Sequence, residues 1–272
     1  MLTFHKIVAG CEEGRSENWR AFVENYTPVA LQLERIYIPN LADLVRFWQD
    51  SVVELCGKGS TVLRNFSRQS EREFLLDLRS FLFDRAASAS GAAENSADFS
   101  GITTEGMDEL VRGLPLLHQE VLFLKLAGYS DSTLEKIFRI TPAVAAKSLE
   151  RMQGKYASAL GRTSDECLRP GAWLKLHGEL RAALKESCTA VRQMVRIQDG
   201  QVGWYDKEPV EKHLVECLSC LENWTALREV SYWRGAAPAV PPDVISGLLS
   251  ALPIARQPAT PKSFIQRIWG KP

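Results

Sequence analysis

The amino-acid sequence predicts an all-α protein built from several small helical units. Apolar residues recur at helical spacing through most of the chain, whereas the alternating pattern of β-strands is scarce. A hydrophobic fraction of 45% beside a charged fraction of 24% provides enough apolar material for packed cores. Histidine and cysteine residues around positions 213–220 have the spacing of helical metal ligands.

The N-terminal part contains amphipathic stretches separated by helix-ending residues. Pro39 ends the first stretch, and Asn40 is a suitable N-cap for the second. Gly57 and Gly59 follow the second stretch and favour the end of its helix. The predicted helices are 17–36, 41–55 and 68–87.

Domain boundaries follow from composition. The stretch after residue 86 is rich in small and polar residues, which is typical of a linker. A second boundary lies near 163–171. Seven of the thirteen prolines fall between Pro238 and Pro272, so the C-terminal tail is expected to be extended, with a short helix over 245–252 as one option. The predicted units are a helical domain 1–87, a linker 88–106, a second domain 107–163, a third domain 170–235 and a tail 236–272.

The second domain has the pattern of a helix-turn-helix. An apolar helix follows Pro115, and a turn at Gly128 leads to a short helix of about 131–138 with a predicted capping box of Ser132 and Glu135. Thr141 and Pro142 then give a strong start signal for a long helix. Two helices joined by a tight turn are typical of DNA-binding proteins.

The long helix of this unit carries a basic strip in a chain whose net charge is zero. Five basic residues from Arg139 to Arg162 stand against one acidic residue, Glu150. Such a strip suits contact with DNA phosphates, although it also fits the solvated face of an ordinary three-helix bundle. The candidate DNA contacts are Arg139, Thr141, Lys147, Ser148, Arg151 and Lys155.

The third domain contains the candidate metal ligands Cys188, His213, Cys217 and Cys220. On one helix the last three would leave from a single face, and Cys188 on an earlier helical segment would complete a tetrahedral site. Four protein ligands predict one structural Zn²⁺ rather than a catalytic metal with an open position. Two alternatives remain open. The cysteines of the C-x2-C segment could form a redox pair, or the thiols could be buried as small apolar residues, and Cys188 lies on an apolar stripe that suits the second case. Cys56 and Cys167 have no ligand neighbours and are predicted to be ordinary thiols.

The residues around this motif resemble the zinc-binding anti-sigma domains of bacteria over about residues 176–235. The resemblance rests on Cys188, the Asp199–Gly200 turn and the H-x3-C-x2-C segment 213–220. It implies a small helical module that binds and occludes a sigma factor.

Two further segments resemble extracytoplasmic-function sigma factors. Residues 114–149, with Pro115 and Gly128-Tyr129-Ser130, are similar to region 4, which reads the −35 promoter element. The N-terminal domain is similar to region 2, which implies that Asp43, Leu44 and Val45 contact RNA polymerase. The order of the segments implies a sigma factor fused to its inhibitor.

The sequence therefore suggests a transcription-initiation regulator whose partners are the RNA polymerase core and promoter DNA, controlled by a sigma/anti-sigma contact within the chain. Ala145 and Ala146 stand where the family often has polar or basic residues, which leaves open a zinc-stabilised interaction scaffold that no longer directs promoter recognition. No catalytic constellation is apparent, so we expect no enzyme activity. No apolar run is long enough for a membrane span, and the uneven cysteines suit a reducing cytoplasm.

Overall fold

A computed structural model describes residues 2–57, 61–64, 69–91, 103–160 and 170–253, and all regular structure in these ranges is α-helical, which confirms the predicted fold class. The helices in chain order are α1 Phe4–Glu12, α2 Ser16–Glu34, α3 Leu41–Leu55, α4 Thr61–Arg64, α5 Glu71–Gly91, α6 Thr104–Val111, α7 Leu116–Leu126, α8 Asp131–Phe138, α9 Pro142–Leu160, α10 Pro170–Ala182, α11 Val191–Gln198, α12 Trp204–Leu214, α13 Leu218–Ala236 and α14 Pro242–Ala251.

Local sequence signals set several helix ends. Asn40 caps α3, because its Oδ1 accepts hydrogen bonds from the backbone N–H groups of Ala42 and Asp43 at 2.9 and 3.2 Å. Pro115 directly precedes α7, as the sequence predicts. The predicted capping box of Ser132 and Glu135 is wrong, because α8 begins at Asp131 and its N-cap residue is Ser130.

The linker and the tail contain more helix than the sequence predicts. α5 continues to Gly91 and α6 begins at Thr104, so helix extends into both ends of the predicted linker 88–106, of which 92–102 lie outside the described residues. In the predicted tail, the short helix that the sequence left open over 245–252 is present as α14 over 242–251, and it packs against α2 and α3. Residues 254–272 lie outside the described part of the chain.

A short turn joins α8 to α9 in the segment predicted to be a helix-turn-helix. Arg139 adopts a left-handed backbone conformation with φ 54°, which ends α8. The backbone N–H groups of Val144 and Ala145 donate to the Thr141 carbonyl, which starts α9. A left-handed backbone conformation at the end of a helix normally favours glycine, so Arg139 occupies a strained position.

The main hydrophobic core crosses all three predicted domains. It joins residues of α1, α2, α3 and α5 to residues of α7, α8, α10, α13 and α14. α13 lies at the centre of this arrangement, because it packs against α2, α5, α7, α8, α10, α11 and α12. The last helix of the predicted third domain is therefore enclosed by helices of the other two predicted domains. Among the described residues, no helix combines the length and the apolar character that a membrane span requires.

Candidate metal centre

The four candidate ligands come together at the junction of α12 and α13. The ligand atoms of Cys188, His213, Cys217 and Cys220 all lie within 4.8 Å of one another. Cys188 Sγ lies 3.9 Å from Cys217 Sγ, and His213 Nε2 lies 3.2 Å from Cys220 Sγ. A tetrahedral zinc with ordinary bond lengths places its ligand atoms roughly 3.5–3.8 Å apart. The donor set and its spacing therefore fit one zinc ion.

The ligands do not lie on one helix face, so that part of the sequence prediction is wrong. His213 is in the last turn of α12, Cys217 is the N-cap residue of α13, and Cys220 is in the first turn of α13. Cys188 lies in the loop before α11 rather than on a helix. Spacings of four and three fit one helix, but they fit a sharp corner between two helices equally well, and the corner lets the ligands converge.

A small second core supports this corner. It contains Met194 and Val195 of α11, Leu214 of α12, and Cys220 and Trp224 of α13, with Leu76 of α5. Cys220 is fully buried, whereas the other three ligands are half-buried. The cluster is therefore attached to the hydrophobic interior on one side and accessible on the other.

The thiols of the cluster differ in their ionisation. Burial raises the pKa of Cys220 above its usual range. Burial also tends to raise the pKa of Cys188. Its effect is outweighed by the Lys185 N–H, which donates to Cys188 Sγ at 3.3 Å, and by the neighbouring thiols, so the pKa of Cys188 is lowered. Since a metal binds the thiolate form, the metal charge would have to stabilise the thiolate of Cys220 against its burial.

The accessible side of the cluster opens on a cleft of about 740 Å³. Cys188, His213 and Cys217 line one wall, and the acidic helix α6 with Glu105 and Glu109 lines another. The candidate metal centre therefore faces the first helix of the predicted helix-turn-helix domain.

The other described cysteines, Cys11 and Cys56, lie outside this cluster. Burial raises the pKa of Cys56 to about 12, which keeps it a neutral thiol at physiological pH. Cys167 lies outside the described residues.

The candidate DNA contacts do not form a uniform surface. Arg139, Thr141, Lys147 and Arg151 are exposed, whereas Ser148 is fully buried. The Ser148 hydroxyl donates to the Val144 carbonyl and lies 2.6 Å from His118 Nδ1, so Ser148 is not available to a phosphate and its predicted role does not fit the structure.

Two basic residues of α9 have partners within the chain. Arg151 Nη1 lies 2.9 Å from His118 Nε2. The half-buried Lys155 donates from Nζ to the backbone carbonyl of Arg112. Burial and the nearby positive charges of Arg151 and Lys147 lower the pKa of His118. A neutral His118 can accept the hydrogen bond from Arg151 and hold that side chain at the surface.

The candidate polymerase contacts lie at the start of α3. Asp43 is exposed, Val45 is half-buried and Leu44 is buried. The segment Pro238–Pro241 and Val244 of α14 line a small cavity of about 250 Å³ together with Leu44 and Val45. The segment at the start of α14 therefore lies beside two of the three residues that the sigma resemblance implies for polymerase contact.

Sequence reasoning did not find the buried ion pairs that hold α13. Arg79 of α5 donates to Glu222 and Glu229 of α13, and all three side chains are almost fully buried. His177 Nδ1 lies 3.0 Å from Glu222, and the Tyr129 hydroxyl donates to Glu229 at 2.5 Å. Although burial opposes ionisation, Arg79 and His177 lower the pKa of Glu222 to about 2.

A second buried carboxylate connects α13 to α7. Glu120 accepts hydrogen bonds from Trp224 Nε1 and Arg228 Nε, both at 2.6 Å. Burial nevertheless raises the pKa of Glu120. One sequence feature could have indicated both clusters, which is a charged residue on an otherwise apolar helical stripe. Arg79, between Leu75 and Leu82, is an example.

Comparisons of this chain with protein-family models, with curated proteins and with solved structures found no match.

Proposed function

We propose that this chain is a transcription-initiation regulator in which a metal-stapled helical module holds two sigma-like helical units closed. The sigma-like character rests on the sequence resemblance. The support from the structure is the position of α13, which begins at the candidate metal ligands and is enclosed by helices of both units.

One structural Zn²⁺ is part of this proposal. Cys188, His213, Cys217 and Cys220 would hold it, and it would fix the corner between α12 and α13. Zinc bound in this way contributes directly to folding of a small module. The ion would thereby set the direction in which α13 enters the interior.

Control within the chain would act by covering surfaces. α14 packs against α2 and α3, and its Leu248 is buried in the main core. In this state Leu44 is not available to a partner. A covering segment tethered in the same chain acts at a high effective concentration, so even a weak contact stays closed.

The test is binding of core RNA polymerase by the full-length chain and by Leu248→Asp, which should release α14 from α3. We expect the variant to bind polymerase at least tenfold more tightly than the wild type. Ser246→Asp, an exposed change on the same helix, is the matched control and should bind like the wild type. Equal binding by all three proteins would refute the covering role of α14.

A second candidate function, an interaction scaffold that does not read DNA, is favoured by one observation. Of the two alanines noted in the sequence, Ala146 is exposed beside Lys147 and Ala143, whereas Ala145 is buried, and Ser148 points inward. The two functions differ in the salt-dependent affinity of the full chain for duplex DNA. A regulator that touches phosphates should lose affinity in Lys147→Ala but not in Lys175→Ala, which changes an exposed lysine of α10.

A further inference from the structure

The side chain of Glu34, at the end of α2, is fully buried in the interior. Among the described residues, neither of its carboxyl oxygens has a hydrogen-bond partner. An ionised carboxylate in such a place is shielded from bulk solvent and lacks a compensating donor, which disfavours its charge, whereas a protonated carboxyl is disfavoured much less. The surroundings therefore favour a proton on Glu34 in the folded chain.

The nearby charges do not remove this preference. Arg79 of α5 favours ionised Glu34, but its guanidinium already donates to Glu222 and Glu229, each at 2.7 Å. Glu229 of α13 opposes ionisation of Glu34. Burial, offset only in part by Arg79, raises the pKa of Glu34 to about 8. The hydroxyl of Tyr37 also lies buried without a hydrogen-bond partner in the described part of the chain.

This carboxyl lies where three helices meet. α2 packs against both α5 and α13, and Glu34 interacts electrostatically with one residue of each. His177 of α10 joins the same cluster through Glu222. If Glu34 ionised, three buried carboxylates would share the positive charge of Arg79 and, when protonated, His177. The excess negative charge would produce repulsion between carboxylates where α13 packs against α2 and α5.

We propose that Glu34 is a proton-binding site that latches α13 onto α2 and α5, and that loss of its proton at mildly alkaline pH loosens this packing. The folded chain keeps the proton over a pH range in which the unfolded chain has released it. The stabilisation from Glu34 is therefore complete below about pH 4.5, decreases as pH rises and is lost above about pH 8. Since Cys217 is the N-cap residue of α13 and Cys220 lies in its first turn, the loosened helix is the one that holds two candidate metal ligands.

The test is urea unfolding of the full-length chain between about pH 5.5 and pH 8.5 at constant zinc, compared with Glu34→Gln. The amide stays neutral, so the unfolding equilibrium constant of the wild type should rise relative to that of the variant by up to about tenfold per pH unit. Glu24→Gln, an exposed change on the same helix, should keep the wild-type pH profile. Parallel profiles for the wild type and Glu34→Gln would overturn the proposal.

Hydrogen exchange locates the effect. After correction for intrinsic exchange rates, wild-type amides in α13 should lose protection between pH 7 and pH 8.5, while amides in Glu34→Gln should not. α9, which packs against α6, α7 and α8, serves as the internal reference. Equal loss of protection in α9 and α13 would mean a general effect of pH and would contradict a local latch.

A measurement on the wild-type chain covers the case in which Glu34→Gln does not fold. An infrared band of a protonated carboxyl should persist at neutral pH and disappear above about pH 8. Glu120→Gln, which removes another buried carboxyl, should retain that band. Absence of the band from the wild type at pH 7 would overturn the proposal.

Discussion

Arg79 and Glu229 form an ion pair in the interior, with Nε and Oε2 2.7 Å apart and both side chains only 1% exposed. The guanidinium also stacks over Phe83, with its Cζ 4.2 Å from the ring centre. A buried pair of this kind contributes little net stability compared with apolar residues, but it is very unfavourable to break. The pair therefore specifies how α13 sits on α5.

Replacing Arg79 with methionine should destabilise the protein by about 3–5 kcal/mol, because Glu222 and Glu229 would remain buried without their cation. Urea unfolding at pH 7 measures this loss. Arg20→Met, which changes an arginine exposed on α2, should cost less than about 1 kcal/mol. If Arg79→Met lost as little stability as Arg20→Met, the prediction would be contradicted, because Glu222 and Glu229 would then have other partners.

Cys217→Ser should abolish zinc binding and free the start of α13. Elemental analysis of the purified chain should give one zinc per wild-type chain and none in the variant. At free zinc a thousandfold above the dissociation constant, metal loss should lower the unfolding free energy by about 4 kcal/mol, and a chelator should do the same to the wild type. Cys56→Ser, outside the cluster, should keep the metal, and zinc retained by Cys217→Ser would rule out this ligand set.

Arg139→Gly should stabilise the chain by about 1 kcal/mol, because glycine adopts the left-handed conformation without the steric cost that arginine bears. Arg139→Ala removes the same charge but keeps the strain, so it should show no such gain. Thermal unfolding of both variants separates the backbone effect from the charge. Equal stability of the two variants would show that the turn relaxes without glycine.

Sequence periodicity located the helices whose apolar faces are regular. α3 over 41–55 begins after its predicted cap Asn40 and ends where the pattern predicts. α8 occupies the predicted 131–138, although its N-cap residue is Ser130 and not the predicted Ser132. The sequence also singled out the four candidate metal ligands as a set, and the structure brings their ligand atoms within 4.8 Å of one another.

The failures share a physical cause, which is tertiary packing. The corner between His213 and Cys217 depends on how α12 and α13 pack, and a helical period cannot distinguish it from a continuous helix. Ser148 faces inward because His118 on α7 gives it a partner. The burial of Glu34 and Arg79 depends on α13, which lies far away in sequence and packs against both α2 and α5.

Because α13 is long, a small tilt at the corner between α12 and α13 produces a large displacement at its far end. Its 19 residues span about 28 Å, from Leu218 beside the cysteines to the end where Arg234 Nε lies 2.9 Å from Glu71. A tilt of roughly 10° at the corner would displace the far end by about 5 Å, which exceeds the 2.9 Å between Arg234 Nε and Glu71. A change at the corner is therefore expected to strain or break the contacts at the far end of α13.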